Sequence, residues 1–455
     1  MTRKPLVSKK QIKSYLYSND FRSLRKLLKD AEPADIAEIF ALFDNPSMVT
    51  LFRMTHRSIR VAVFSYLELE KQEELMGELP DVLVTSLLNE MEADDRTRLL
   101  ERLPEEIRHK ILLKLNPEAR QVAWKLLSYP EESIGRLMTP DVATLNAEMT
   151  VAQALEYIHW SKALPIEFLN YLFITDKDGV LLGEVSLAAL VVCDPSSLKV
   201  KDIMKRNYIT LFPEQEENDA VEAFRKYERN YVPVISEEQK LLGIVTSDDV
   251  FDLAEDEATE DIQQFGGQGA LEDSYFQTPL WTMFKKRTGW LMILFIAGFL
   301  SCEALRTYEE TIGKWGFLLF FLPIITSAGG NSGTQAASLI IRGLAINEMS
   351  SSDVWKVLKK EILIGILLGI TLALIGFTRA ITWNMGVNVG IIVASSLVSV
   401  VMFGVVVGSM LPFVFKRFDF DPAVVSSPFI STLLDVSGIV VYINIALYFM
   451  SVLGS

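Results

Sequence analysis

Residues 424–450 read VVSSPFISTLLDVSGIVVYINIALYFM, and the rest of the chain is read outward from them. The stretch is long and apolar enough to span a bilayer, which takes about 20 residues. Within it Asp435 is the only acidic or basic residue, and none follows it. Counted from Val424 at about 1.5 Å per residue, Asp435 lies roughly 16 Å into a hydrocarbon core of about 30 Å. An uncompensated carboxylate there is costly, so it faces a water-filled path, a partner or an ion. On a helix, Pro428, Ser431, Thr432, Asp435 and Gly438 share one face. Pro428 lacks an N–H and is expected to free a carbonyl in the preceding turn. A polar stripe with one carboxylate suits a hard cation, which takes oxygen ligands. The other reading is a protonated Asp435 bonded to a neighbouring helix.

A second polar stretch, PIITSAGGNSGTQAASL at 323–339, interrupts another apolar segment. Its glycines, hydroxyls, Asn331 and Gln335 cannot face lipid, so they face protein or a water-filled cavity. Close packing through small residues is the plainer reading, and both roles can coexist. Five spans are expected, at about 288–308, 315–340, 357–382, 389–415 and 424–452. Lys285, Lys286, Arg287, Arg342, Lys356, Lys359, Lys360, Lys416 and Arg417 fall on one side, against Arg306, Lys314 and Arg379 on the other. The basic side is cytosolic by the positive-inside rule, which puts the C-terminus outside. Trp290, Trp315, Trp355 and Trp383 lie near span ends, as interfacial aromatics do.

Half of the 455 residues are hydrophobic, too many for an ordinary soluble protein, yet charges are abundant. From Trp281 onward there are 12 Lys/Arg and 9 Asp/Glu, which leaves 32 and 49 before it. A soluble part of net charge −17 therefore precedes a membrane part of net charge +3. That acidity excludes nucleic acid as a partner and suits cations. Cys193 and Cys302 suggest reduced thiols rather than a framework. His56, His109 and His159 all precede the membrane part, so no catalytic constellation forms there, and no phosphate-binding loop of the GxxxxGK[ST] type appears. The start, MTRKPLVSKKQIKSY, is basic with no apolar core after it and is not read as a signal peptide.

Residues 10–130 read as short helices with apolar positions at 3–4-residue spacing, punctuated before Pro80, Pro104 and Pro117. PADI (33–36) and ADDR (93–96) put acids at helix starts. Stacked short helices in a solenoid are expected. Residues 137–258 repeat: LMTPDVATLNAEMTVAQALEYI is echoed by IMKRNYITLFPEQEENDAVEAF, and YLFITDKDGVLLGEVSLAALVV by YVPVISEEQKLLGIVTSDDVFD. Each copy is expected to run strand, helix, strand, turn, strand, helix, with turns at Asp176–Gly179 and Ser236–Gln239. This pattern resembles a tandem pair of CBS domains, the cystathionine β-synthase type. Residues 248–268 read as an acidic helix ending at Gly266-Gly267.

The two polar membrane stretches resemble the MgtE family of magnesium channels. Pro323, Gly329, Gly330, Asn331, Gly333 and Gln335 match its P…GGNxGxQ segment. Asp421, Pro422, Ala423, Ser426, Pro428, Thr432, Asp435 and Gly438 match its fifth-helix segment. The resemblance covers essentially the whole chain. It implies a homodimer in the lipid bilayer with one pore on the two-fold axis, lined by second and fifth spans. It also implies a pore path for Mg2+ at Asp435, Ser431, Asn331, Asp421 and Glu309. Regulatory Mg2+ is then expected at Asp94, Asp95, Glu216, Glu228, Asp249, Asp252, Glu257, Glu260 and Asp261. The CBS pair brings an expectation of ATP or AMP, with Ser186 in the first copy and Thr246 and Asp249 in the second; Ala189 stands where the first copy would need an acid.

The expected architecture is multidomain. An all-α helical solenoid (1–132) is followed by an α/β CBS pair (133–258), an acidic connecting helix and hinge (248–280) and a five-span α-helical membrane domain (285–455). The expected function is a Mg2+ channel of a bacterial-type inner or plasma membrane, closed by cytosolic Mg2+. Kept beside it are a proton- or sodium-coupled divalent carrier and, in a different class, a nucleotide-regulated membrane enzyme.

Overall fold

Short helices form first along the chain because each apolar run is cut off after nine to eleven residues. In the computed structural model, which describes residues 8–160, 169–193, 198–271, 275, 278–346, 348–418, 420–424 and 426–453, ten such helices lie between Lys9 and Leu127. The start of the basic N-terminal stretch, residues 1–7, lies outside the described residues. Pro80 and Pro104 cap the helices Asp81–Glu90 and Glu105–Lys114, and Pro117 opens the helix Pro117–Leu127. Proline fits there because its missing N–H would be unpaired in any case. Buried Phe40, Phe52 and Phe64 fall 12 residues apart and share one core with Leu75, Leu87, Leu99 and Leu112. One helix and its turn are thus the repeating unit of a stack.

The repeat that follows shows as matched irregularities. In the first copy β1 (Thr144–Asn146) pairs parallel with β2 (Tyr171–Thr175), which pairs antiparallel with β3 (Leu181–Ser186). In the second, β4 (Tyr231–Ile235) pairs antiparallel with β5 (Leu241–Thr246). The register slips at Ile174/Thr175 and again at Val234/Ile235, 60 residues later. The turns fall as expected: Asp176 Oδ1 accepts from Asp178 and Val180 N–H at 2.9 Å, and Gly179 takes φ +83°. Gln239 is its counterpart at φ +60°. The opening strand expected in the second copy is reduced to one parallel bridge, Leu211 to Val234. Pro213 follows so closely that the ladder cannot extend.

The chain divides into two units, Met1–Glu255 and Asp256–Ser455. The connecting helix, Ser247–Phe265, starts in one and ends in the other, and stops before Gly266-Gly267 as read. The second unit holds five long helices: Leu280–Thr307, Phe317–Ala345, Val354–Thr382, Val387–Arg417 and Ser427–Leu453, called first to fifth below. Four of these, all but the second, are long and apolar enough to cross a membrane. The second has 29 residues, but its polar segment dilutes its apolar character.

The helix runs unbroken through the polar segment 323–339. Its glycines serve close packing, as the plainer reading had it: Gly329 and Gly333 lie against Gly404 and Gly408 of the fourth helix. A Cβ on Gly404 would sit 2.5 Å from the Gly329 carbonyl oxygen. One expectation is corrected here, that for Pro428. The fifth helix begins at Ser427, so Pro428 lies in the first turn and costs no intrahelical bond. Asp435 is then about 12 Å from the helix start, shallower than the count from Val424 gave.

Candidate functional site

The fifth helix presents its polar stripe to the second. Ser431 is the nearest neighbour of a Cβ built on Gly330, with Oγ at 3.8 Å, and a Cβ on Gly438 would meet Thr326 at 3.5 Å. The two polar stretches singled out in the sequence are therefore adjacent. Thr432 Oγ1 donates to the Pro428 carbonyl at 2.9 Å, which keeps that hydroxyl on its own helix. Asp435 is half-buried, one turn beyond Ser431. Asn331 is exposed and donates to Ser327 Oγ at 3.2 Å along its own helix. Ser327, Asn331 and Gln335 make an exposed polar strip at i, i+4, i+8 on an otherwise apolar helix. Lipid cannot satisfy such a strip, so water or protein must cover it. Glu309 opens the short helix Glu309–Lys314 and is exposed.

The expected regulatory acids fall into separate groups. In the first unit Asp94 and Asp95 lie in the first turn of the helix Ala93–Arg102, and Asp249 lies in the first turn of the connecting helix. Asp94 is buried, at 6 % exposure. Its carboxyl is held well above the usual range by burial, then by the charges of Asp249 and Asp95. Burial also raises Asp95, with Asp248 and Asp252 adding to it. Asp249 is pushed up to about 7 by burial, with Asp248 and Asp95 adding, against a hydrogen bond from Thr246 and the charge of Arg98. Arg98 also pairs with Asp252 at 3.7 Å. The buried Arg96 guanidinium donates to Leu88 and Met91 carbonyls, both at 3.1 Å, and so ties the acidic helix to the one before it.

In the second unit Asp261 is pushed up to about 6, first by burial and then by Asp421, Glu257 and Glu260. Glu216 and Glu228 are not brought together. They flank the helix Glu217–Tyr227, Glu216 before its start and Glu228 at its left-handed end. Two acids not singled out in the sequence also join the crowding: Asp248, beside Asp249, and Glu217, which is pushed up to about 7 by burial and by Glu101. The available signal was adjacency: each stands next to an acid that was singled out. Of the nucleotide candidates, Ser186 caps the helix Leu187–Val192, and Thr246 donates to Asp249 at 2.5 Å.

Among the described residues, no three or more His, Cys, Asp and Glu side chains converge on one point as a metal cage. Mg2+ does not need one. It keeps several waters and takes one or two carboxylates.

The crowding makes stability depend on pH. These carboxyls bind protons more tightly when folded than when unfolded, so stability is lost as pH rises through their folded values. Without divalent ions, lowering the pH from about 8 to about 5 should stabilise the acidic region by a few kcal/mol, through the window set by Asp249 at about 7 and Asp261 at about 6. Limited proteolysis of the full chain reads this directly. Resistance that stays flat or falls on acidification would contradict it.

A helical membrane unit with an intramembrane carboxylate, joined to CBS domains and buried acid clusters, defines a regulated cation transporter. Residues 322–445 match the family described as divalent cation transporter, 31–132 the MgtE intracellular N domain, and 134–193 and 200–256 the CBS domain. The magnesium transporter MgtE of Thermus thermophilus is 31% identical over 435 residues, covering 95% of this chain and 96% of that protein. That of Bacillus subtilis is 28% identical over 93% of this chain and 96% of its own. The chain belongs to the MgtE family of magnesium transporters, as its sequence motifs led us to expect. Among solved structures, the cytosolic domain of the Mg2+ channel MgtE in complex with ATP is similar, with 26% identity and a TM-score of 0.51 over 54% of this chain and all of that one.

Proposed function

We propose that this magnesium transporter is a channel, with one pore formed by the second and fifth long helices of two copies and closed by cytosolic Mg2+. The observation that carries the reading is Asp435, a half-buried carboxylate on a polar helix face that adjoins the glycine-rich second helix. Two such carboxylates across a two-fold axis would hold hydrated Mg2+ through its waters, which excludes monovalent ions by charge and larger divalent ions by fit. Ser431, Asn331, Asp421 and Glu309 are assigned to the same path, and all five long helices are taken to cross the plasma membrane. The acidic half is taken as cytosolic and the C-terminus as outside.

Closure is assigned to the two acid groups, Asp94, Asp95, Asp249 and Asp252 in one unit and Glu257, Glu260 and Asp261 in the other. Within each group the acids repel one another, which disfavours that group's compact arrangement, and Mg2+ bound within the group would remove the repulsion. Differential binding to that state is what shifts a gate. Glu216 and Glu228 would act separately. That a similar cytosolic domain was solved in complex with ATP supports a nucleotide, ATP or AMP, at the CBS pair, and Ser186, Thr246 and Asp249 are assigned to it.

The test is Mg2+ flux into proteoliposomes with the concentration at the acidic face varied, and with no ATP and no proton or sodium gradient. Flux down the Mg2+ gradient that falls several-fold at millimolar Mg2+ is expected. A requirement for a proton or sodium gradient would replace the channel with a coupled carrier.

A further inference from the structure

The connecting helix ends at Phe265, and Gly267 then turns the chain at φ +76°. A Cβ on Gly267 would lie 3.1 Å from Trp290 Cδ1 and 3.2 Å from Pro428 Cγ. The turn is thus wedged between the first long helix and the first turn of the fifth. Trp290 Nε1 donates to Ser426 Oγ at 2.9 Å, and the same oxygen accepts from the Phe429 N–H at 3.4 Å. Ser426 is therefore the cap of the fifth helix, and Trp290 holds the cap. Phe265 packs with Ala337 and Ile341 of the second helix and with Ile430 and Leu434 of the fifth. Ile430 and Leu434 immediately precede Ser431 and Asp435. Beside the turn lies an open cavity of about 370 Å3, bordered by Gly267, Gly269, Lys286, Trp290 and Val424.

We propose that Trp290 is a positioning residue that couples the connecting helix to the fifth long helix. Its ring bears on the Gly267 turn while its N–H fixes the cap that sets where the fifth helix starts. A tryptophan needed only for packing would not require its N–H to meet a capping hydroxyl. The inference rests on the reading that acidic-face Mg2+ closes a path lined by the fifth helix. Movement of the connecting helix then reaches Asp435 through two side chains, one apolar (Phe265) and one hydrogen-bonding (Trp290).

The experiment uses the full chain in proteoliposomes and compares Mg2+ flux at low and at millimolar Mg2+ on the acidic face. Trp290→Phe keeps a ring against Gly267 and Phe429 but loses the donor. Ser426→Ala loses the acceptor, and Ser426→Thr keeps a hydroxyl. One neutral hydrogen bond corresponds to about a fivefold change in an equilibrium. The low-to-high flux ratio should fall about fivefold in Trp290→Phe and in Ser426→Ala, no further in the double variant, and stay near wild type in Ser426→Thr. The Mg2+ concentration that protects the acidic half from protease should not change. If Trp290→Phe does not accumulate, Ser426→Ala against Ser426→Thr decides alone. Unchanged ratios beside a wild type that Mg2+ closes would overturn the coupling. So would an additive double variant, or a protease midpoint that moves with the ratio. A wild type that Mg2+ does not close would overturn the gating reading, and the coupling with it.

Discussion

Replacing Asp435 with asparagine is expected to lower Mg2+ flux by more than about tenfold while leaving the protein folded. Asparagine has nearly the same shape and can still hydrogen-bond, so the helix face keeps its packing against Gly330 and Thr326. What disappears is the negative charge. In the low-dielectric surroundings of a membrane helix, that charge would, on the proposed reading, make a hydrated divalent cation more stable there than a monovalent one. Asp435→Glu keeps the charge but moves it by one methylene, so it should retain part of the flux with weaker discrimination among divalent ions. The measurement is uptake of Mg2+, Ca2+ and K+ into proteoliposomes holding equal amounts of each variant. Full flux with unchanged ion preference in Asp435→Asn would remove Asp435 from the path.

The second large effect is expected from Gly404→Val. The new Cβ would fall 2.5 Å from the Gly329 carbonyl oxygen and 3.1 Å from Ser332 Oγ. Backbone cannot rotate out of the way as a side chain can, so the second and fourth helices must separate. Overpacking costs about 1–3 kcal/mol where side chains can shift, and this site should reach or exceed the upper figure. Gly298→Ala is the control, because nothing lies within 4 Å of a Cβ there. Thermal unfolding in detergent should show a much lower midpoint for Gly404→Val and little change for Gly298→Ala. Equal midpoints would mean that the glycine contact is not what holds the two helices together.

Local chemistry made much of this legible in advance. Prolines at helix starts, the Asp176 turn and the Gly266-Gly267 stop each depend on a few consecutive residues, and all fell where the sequence put them. Four of the five expected spans were legible for the same reason, apart from their ends; the second forms a long helix whose polar segment leaves it short of the apolar character of the others. Pro428 was misread because its consequence depends on where the helix begins, and that is set by the Ser426 cap and the Trp290 donor 136 residues away. For the 323–339 segment the sequence left two roles open, close packing and a water-filled path, because its composition suits both. The packing contact with Gly404 and Gly408 lies in another part of the chain. The acids show the same limit. A run such as Ala93-Asp94-Asp95-Arg96 reads as a solvated face until Asp249 is brought beside it. Glu216 and Glu228 look equivalent to Asp94 by charge alone, yet they flank opposite ends of one helix.

The 12-residue period of the N-terminal stack has a mechanical consequence. Each helix finds its apolar contacts on its neighbours, so the stack behaves as a one-dimensional chain of springs rather than as a block with a single stiffness. Strain introduced at the acidic helix near one end is shared as small tilts along the series and fades with distance. Helices far from Asp94 can fray or vary in sequence with little effect on the acid group. The few units next to it carry nearly all of the stiffness that the group feels.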